Sequence, residues 1–215
     1  MTPEEARDRY QRLRAVSREY HRAAFRMVAP ATIERVGRRV GLRVAGGRLV
    51  IATQSEFDLV NDLIVYSGFP SGVEPALVRY ARTARPGPGS DEAMMLDAAL
   101  RSRFVAFMVE RRHALGGFML RDLVDDSELW LMDIAMSEHM EPGGRFIGRL
   151  TDPGPFSMTC GVLVPLTDTI ITAIEDAMPD QSQESRARVC EDPRLPFLVY
   201  RTAIQSGAMV SVTFV

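Results

Sequence analysis

The apolar positions of this chain change period near residue 103, and that change divides it into a helical part and a β part. Residues 3–28 carry Tyr10, Leu13, Val16 or Ser17, Tyr20, Ala24 and Met27 at spacings of three and four. Such spacing puts one apolar stripe on a helix. Pro3 suits its first turn, and Glu4 and Glu5 suit the positive end of its dipole. A second helix is predicted from Pro30 or Ala31 to Val40, closed by Gly41. Gly46-Gly47 reads as a hairpin turn between Leu42–Ala45 and Arg48–Thr53. Ser55, with Asp58 three residues on, reads as an N-cap in a capping-box variant. It opens a helix over Glu56–Tyr66 whose inner face holds Phe57, Val60, Leu63 and Ile64. Glu74–Ala84 is a further helix, and Arg85-Pro-Gly-Pro-Gly89 breaks the chain. Ser90 then caps a helix that runs to about Ser102.

From residue 103 the period is two. Phe104–Arg111, Phe118–Val124, Leu129–Ile134, Arg145–Leu150 and Phe156–Pro165 read as strands. Turn residues at Ala114–Gly117, Asp125-Asp126, Glu141-Pro-Gly-Gly144 and Asp152-Pro-Gly-Pro155 separate them. Short strands at this spacing predict a meander curled into a small antiparallel β-barrel of about five strands. Gly148 and Gly161 would mark bends at its corners. Beyond it, Asp168–Met178, Gln183–Cys190 and Pro193–Gln205 read as helical, and Ala208–Val215 as a final strand. The expected class is α+β: a mainly helical region at 1–102, the barrel at 103–167, and C-terminal helices and strand at 168–215.

Composition narrows the chemistry. All 26 basic residues are arginine and none is lysine. Schiff-base chemistry on lysine, a P-loop lysine contact and a kinase-type ATP lysine are therefore excluded in this chain. Residues 1–48 hold twelve arginines against five acids, while the rest is correspondingly acidic. Such a split fits a basic arm for nucleic acid or anionic lipid, and equally two halves of one fold that attract. On the first helix Arg7, Arg14, Arg18, Arg22 and Arg26 fall largely on a face away from the apolar stripe. Arginines four apart repel by roughly a few tenths of a kcal/mol per pair, so Arg14, Arg18 and Arg22 read as a solvated face or as contacts for an acidic partner. No apolar run reaches the length needed to cross a bilayer. The first residues lack the apolar core of a secretory signal. The expected setting is the cytoplasm, with Cys160 and Cys190 reduced and no membrane partner.

Candidate chemistry is sparse. His21 reads as a surface residue of the first helix. His113 lies beside Arg111 and Arg112, whose charges disfavour imidazolium, and His139 lies in a loop. No pair of histidines has metal-site spacing, so neither a metal nor a cofactor is assigned. Cys160 alternates with Met158 and Val162 as a core position. A pairing with His139 would arise only through the fold. Asp122, Asp125, Asp126 and Glu128 read as a solvated turn. Arg121 and Asp122 would sit at the barrel mouth, either as an ion pair pinning the turn or as contacts for a ligand or partner.

The stretch from about Ser55 to Pro165 resembles an uncharacterised bacterial family. The resemblance rests on Asp62-Leu-Ile-Val-Tyr66, Leu77-Val-Arg-Tyr80, Leu100 with Ser102-Arg-Phe104, Gly117-Phe-Met-Leu-Arg-Asp-Leu123, Glu141-Pro-Gly-Gly144 and Arg149-Leu150. It implies a helical segment followed by a small barrel. Some members of that family carry an SEC-C type zinc knuckle. This chain lacks the cysteine cluster, so no zinc carries over. The resemblance implies no activity.

The expected function is a non-enzymatic protein-interaction or ligand-binding module, with an unknown protein as its foremost partner. An exposed patch containing Met119, Met132, Met136 or Met140 would support it. Nucleic-acid binding through the Arg-rich first helix is the alternative. An enzyme with an unrecognised site is the second.

Overall fold

The computed structural model describes residues 1–69, 72–134, 140–177 and 189–209. Helix α1 (Pro3–Arg26) starts in a complete capping box. The Thr2 hydroxyl accepts from the Glu5 N–H at 3.2 Å, and the Glu5 carboxylate accepts from the Thr2 N–H at 2.6 Å. Two orphan donors are thereby satisfied. The predicted stripe is buried from Tyr10 through Leu13, Ser17 and Tyr20 to Ala24, but its last member, Met27, is the C-cap and is exposed. Helix α2 (Pro30–Val40) ends on Gly41 in the left-handed region. The ribbon β1 (Val44–Ala45) and β2 (Arg48–Leu49) follows, with only two residues in each strand.

Helix α3 (Gln54–Tyr66) begins earlier than Ser55 suggested. Thr53 is its N-cap, extended at φ −133°, with its hydroxyl accepting from the Glu56 N–H at 3.1 Å. An N-cap needs extended backbone and a side-chain acceptor, and Thr53 supplies both two residues upstream. Helices α4 (Ala76–Thr83) and α5 (Asp91–Leu100, capped by Ser90) complete the N-terminal layer.

The β region is β3 (Arg103–Arg112), β4 (Phe118–Asp122), β5 (Glu128–Leu131), β6 (Arg145–Thr151) and β7 (Met158–Pro165). They form one antiparallel sheet in the order β5-β4-β3-β6-β7. The expected barrel is not formed. Closure requires the two edge strands to pair along their length, and here β5 and β7 do not pair. A single parallel bridge joins Leu131 to Ser157, with Met132 N–H to Ser157 O at 2.9 Å and Ser157 N–H to Trp130 O at 2.7 Å. The four-residue β5 is too short to continue it. The fold is therefore α+β around an open, curled sheet. Gly117 permits the approach of β4 to β5. Its φ is +73°, and a Cβ there would lie 2.1 Å from the Leu131 carbonyl oxygen, so only glycine fits.

Helices α6 (Asp168–Ala177) and α7 (Leu195–Ser206) follow the sheet. Most of the helical reading at Gln183–Cys190 lies outside the described residues. So does the predicted last strand, apart from Ala208 and Met209, which lie in the turn after α7.

The two faces of the sheet pack differently. Val105, Phe107, Val109, Phe118, Leu120, Leu131, Leu150 and Leu163 converge on one face and bury one another with Met140. The opposite face meets the helices: Phe104, Ile147, Val162 and Val164 pack with residues of α2, α3 and α7, such as Val36, Leu59, Leu63, Val199 and Tyr200. The forward half of α1 packs with α4, α5, Phe156 and Met158.

Candidate functional site

A buried polar cluster lies where α1 and α3 meet the sheet, and two ion pairs frame it. Arg149 of β6 donates from Nε and Nη2 to the two carboxylate oxygens of Asp62 of α3, at 2.9 and 3.2 Å. Their side chains are only 9% and 2% exposed. The guanidinium lies 4.9 Å from the ring centre of Tyr66 and 5.7 Å from that of Phe104. Burial works against the Arg149 charge, but the Asp62 carboxylate more than offsets it and holds the guanidinium above its ordinary value.

The second pair is Arg14 of α1 with Asp133, which follows β5, at 2.7 Å. Arg14 also donates to the Thr159 carbonyl at 2.6 Å, to the Thr159 hydroxyl at 2.8 Å and to the Tyr10 hydroxyl at 3.1 Å. The Thr159 hydroxyl donates in turn to Asp133. One side chain thus ties α1 to both edges of the sheet. Here too burial opposes the charge, and Asp133 and Tyr10 more than compensate.

Between these pairs runs a chain of uncharged groups. His21 Nε2 shares a short hydrogen bond with the Tyr66 hydroxyl, and its Nδ1 lies 3.4 Å from the Ser17 hydroxyl. Both partners are hydroxyls, so the neutral ring is satisfied in either tautomer. The Tyr66 hydroxyl also neighbours the Cys160 thiol. Burial, reinforced by the Arg14 charge, pushes the His21 imidazole down to about 4. Burial pushes the Cys160 thiol up to about 12 against the pull of Tyr66 and Arg149. It also drives the Tyr66 phenol well above its usual range. A nucleophilic cysteine needs a stabilised thiolate, and a general base works best with a pKa near the operating pH. This chain of groups has neither. Its hydroxyls, imidazole and thiol are linked by hydrogen bonds between neutral groups.

The cluster forms the floor of a cleft of about 460 Å³ between α1, α3 and β7, within the roughly 300–1,000 Å³ span of small-molecule sites. Arg18 and Arg22 stand on the α1 side, and Gln54, Asp58 and Asn61 on the α3 side. Gly161 of β7 lies on the wall, where an added Cβ would meet nothing within 4 Å. The Oδ1 of Asn61 is buried with no hydrogen-bond donor among the described residues. Asp58 accepts from the Gln54 amide at 2.8 Å, and partial burial raises its carboxyl. A larger cavity of about 620 Å³ lies across the Arg18–Arg22 ridge, between α1, α4 and α5. We place the site in the smaller cleft because the buried polar groups converge there.

The structure redistributes the residues singled out from the sequence. Arg14 is not on a solvated arginine face: its side chain is 16% exposed and turned into the fold. Arg18 and Arg22 are exposed, with Arg22 paired to Glu19 at 2.9 Å. His21 is half-buried, not free at the surface, because its ring nitrogens meet Ser17 one turn back and Tyr66 of α3. Arg121 and Asp122 do not pair with each other, since successive side chains of β4 point to opposite faces. Arg121 is exposed and bonded to Glu110. Asp122 is buried, accepting from the Val124 N–H at 2.8 Å and facing Arg103 at 3.4 Å. Neither lines the cleft. His113 stacks on Trp130 with ring centres 4.0 Å apart, and its pKa is lowered by burial first and Arg111 second. His139 and Met136 lie outside the described residues. Met132 and Met140 are buried and Met119 is half-buried, so they form no exposed patch. Among the described residues no group of three His, Cys, Asp or Glu side chains is placed to hold a metal, and no helix is long and apolar enough to cross a membrane.

Sequence reasoning missed Asp62, Tyr66, Arg149 and Tyr10. A signal existed at Arg149, which shares the β6 face of the buried Ile147, whereas Asp62 lies off the inner face predicted for its helix. Opposite charges at buried positions of separate elements must find each other.

Together these features define an α+β protein with an open five-stranded antiparallel sheet and a polar cleft under its N-terminal helix. The model of a family of unknown function, DUF7986, matches residues 4–194, and the chain belongs to that family. No curated protein and no solved structure matches it.

Proposed function

We propose that this chain is a non-enzymatic ligand-binding module whose site is the cleft between α1 and α3. One observation carries the reading. The groups on the cleft floor are either locked in ion pairs or held neutral, with the imidazole down at about 4 and the thiol up at about 12. A floor of that kind suits recognition of a molecule by hydrogen bonds. The rim adds Arg18, which has no carboxylate partner among the described residues. The nucleic-acid alternative draws on the outward arginines, and it loses Arg14 to the interior. A bacterial cytoplasmic setting belongs to the same proposal; both cysteines are free thiols.

The test is a wedge. Gly161→Trp projects a large side chain from β7 into open space at the cleft wall. Ligand-observed NMR on the full chain, against a defined panel of amino acids, organic acids, nucleotides and sugar phosphates, reads binding to wild type and variant. At least one panel member should bind the wild type and be lost in the variant, with the two melting midpoints alike. Binding by no member, or binding the wedge leaves unchanged, refutes the site.

A further inference from the structure

The two walls of the cleft carry opposite character and do not neutralise each other. Arg18 and Arg22 rise from α1, spaced one helical turn apart on one face. Arg18 has no ionic partner among the described residues. Among the described residues Arg22 has only the exposed Glu19, in a solvent-screened pair that leaves the guanidinium accessible. Across the cleft, α3 presents Asp58 and Asn61, again on one face. Asp58 has the Gln54 amide as its partner and no cation among the described residues. The Asn61 Oδ1 is a buried acceptor without a donor among the described residues. No ion pair bridges Arg18 or Arg22 to Asp58. The charges are near enough to line one cleft and too far apart to pair.

A ligand that satisfies both walls must offer an anion on one side and hydrogen-bond donors with positive charge on the other. The floor between them is neutral and adds hydroxyls, an imidazole and a thiol. From this we propose that the cleft takes a small zwitterion of the α-amino-acid class. The carboxylate sits between Arg18 and Arg22. The ammonium donates to the Asp58 carboxylate and the Asn61 carbonyl oxygen, and the side chain points toward Tyr66 and Cys160. This inference rests on the cleft being the binding site, and it names what the cleft selects.

Isothermal titration of the full chain with the free L-amino acids, one at a time, tests it. Each amino acid that binds is compared with its N-acetyl derivative, which lacks the ammonium, and with its amide, which lacks the carboxylate. At least one free amino acid should bind at least tenfold tighter than either derivative. The Arg18→Ala, Arg22→Ala double variant should erase the preference over the amide and keep the preference over the N-acetyl form. Asp58→Asn should do the reverse. These residues are exposed or half-buried, and unchanged melting midpoints would confirm that both variants fold. Derivatives that bind as well as the free acids overturn the proposal, as does a variant that weakens all probes equally. If no amino acid binds but another panel molecule does so in a wedge-sensitive way, the zwitterion is wrong and the site stands. If nothing binds, both fall.

Discussion

The two faces of the sheet solve the same burial problem by opposite means. One face is closed by Phe107, Phe118, Leu120, Leu131 and their apolar neighbours. The other face, under α1 and α3, also buries apolar side chains, but it takes in Arg149 with Asp62 and sits beside Arg14 with Asp133. Apolar contact is non-directional and forgiving of its partner. A buried ion pair is neither, because each charge is costly without the other. The first face therefore holds the fold together, and the second fixes where α1 and α3 stand relative to the strands. That placement is what shapes the cleft.

The comparison can be broken most forcefully at Arg149. Arg149→Met leaves Asp62 buried without its cation and should cost about 3–5 kcal/mol in urea unfolding. Adding Asp62→Leu to it should recover most of that loss, because two well-packed apolar groups replace a pair whose desolvation was already expensive. A double variant no more stable than the single one would mean that the pair contributes more than mutual neutralisation. Phe107→Ala on the apolar face should cost a similar amount, about 3–5 kcal/mol. There, no change at a polar partner restores it, and the wild-type ligand profile should persist in the folded fraction.

A smaller effect is expected with pH. The folded His21 titrates at about 4 against 6.5 for the free side chain. Above pH 6.5 the ring is neutral in both states and contributes no pH dependence. As pH falls from 6.5 toward 4, the unfolded chain binds a proton that the folded chain refuses. Stability should fall over that window by about 3 kcal/mol in all. His21→Gln should flatten this slope, and an unchanged slope in the variant would assign it to other groups. The smallest effect is at Arg121. Its guanidinium is solvent-exposed, with Glu110 as its partner, so Arg121→Ala should leave the unfolding midpoint where it is.

The elements with a strong period were legible in the sequence. The stripe of α1, the break at 85–89 and the five strands all stand close to where the pattern put them. Closure was not legible. Alternation reports which residues share a face, and it does not report whether the first and last strands meet, which here depends on the short β5. The site was partly hidden for a related reason. Arg14 looked solvated because it lies outside the helix's apolar stripe, yet Asp133 and Thr159 come from 119 and 145 residues further on. Nothing local marks such partners. Three of the segments on which the family resemblance rested meet in space: Asp62, Tyr66, Phe104 and Arg149 form one cluster.

The hydrogen bonds from Arg14 to Thr159 also set a timetable for the newly made chain. α1 leaves the ribosome before the sheet, and its anchor on β7 follows 145 residues later, roughly 7–30 s at ordinary rates of synthesis. Over most of that interval the Arg14 guanidinium has neither partner, because Asp133 follows it by 119 residues and Thr159 by 145. The cleft gains its last wall only when β7 has emerged, so a ligand can assist no step of assembly before that.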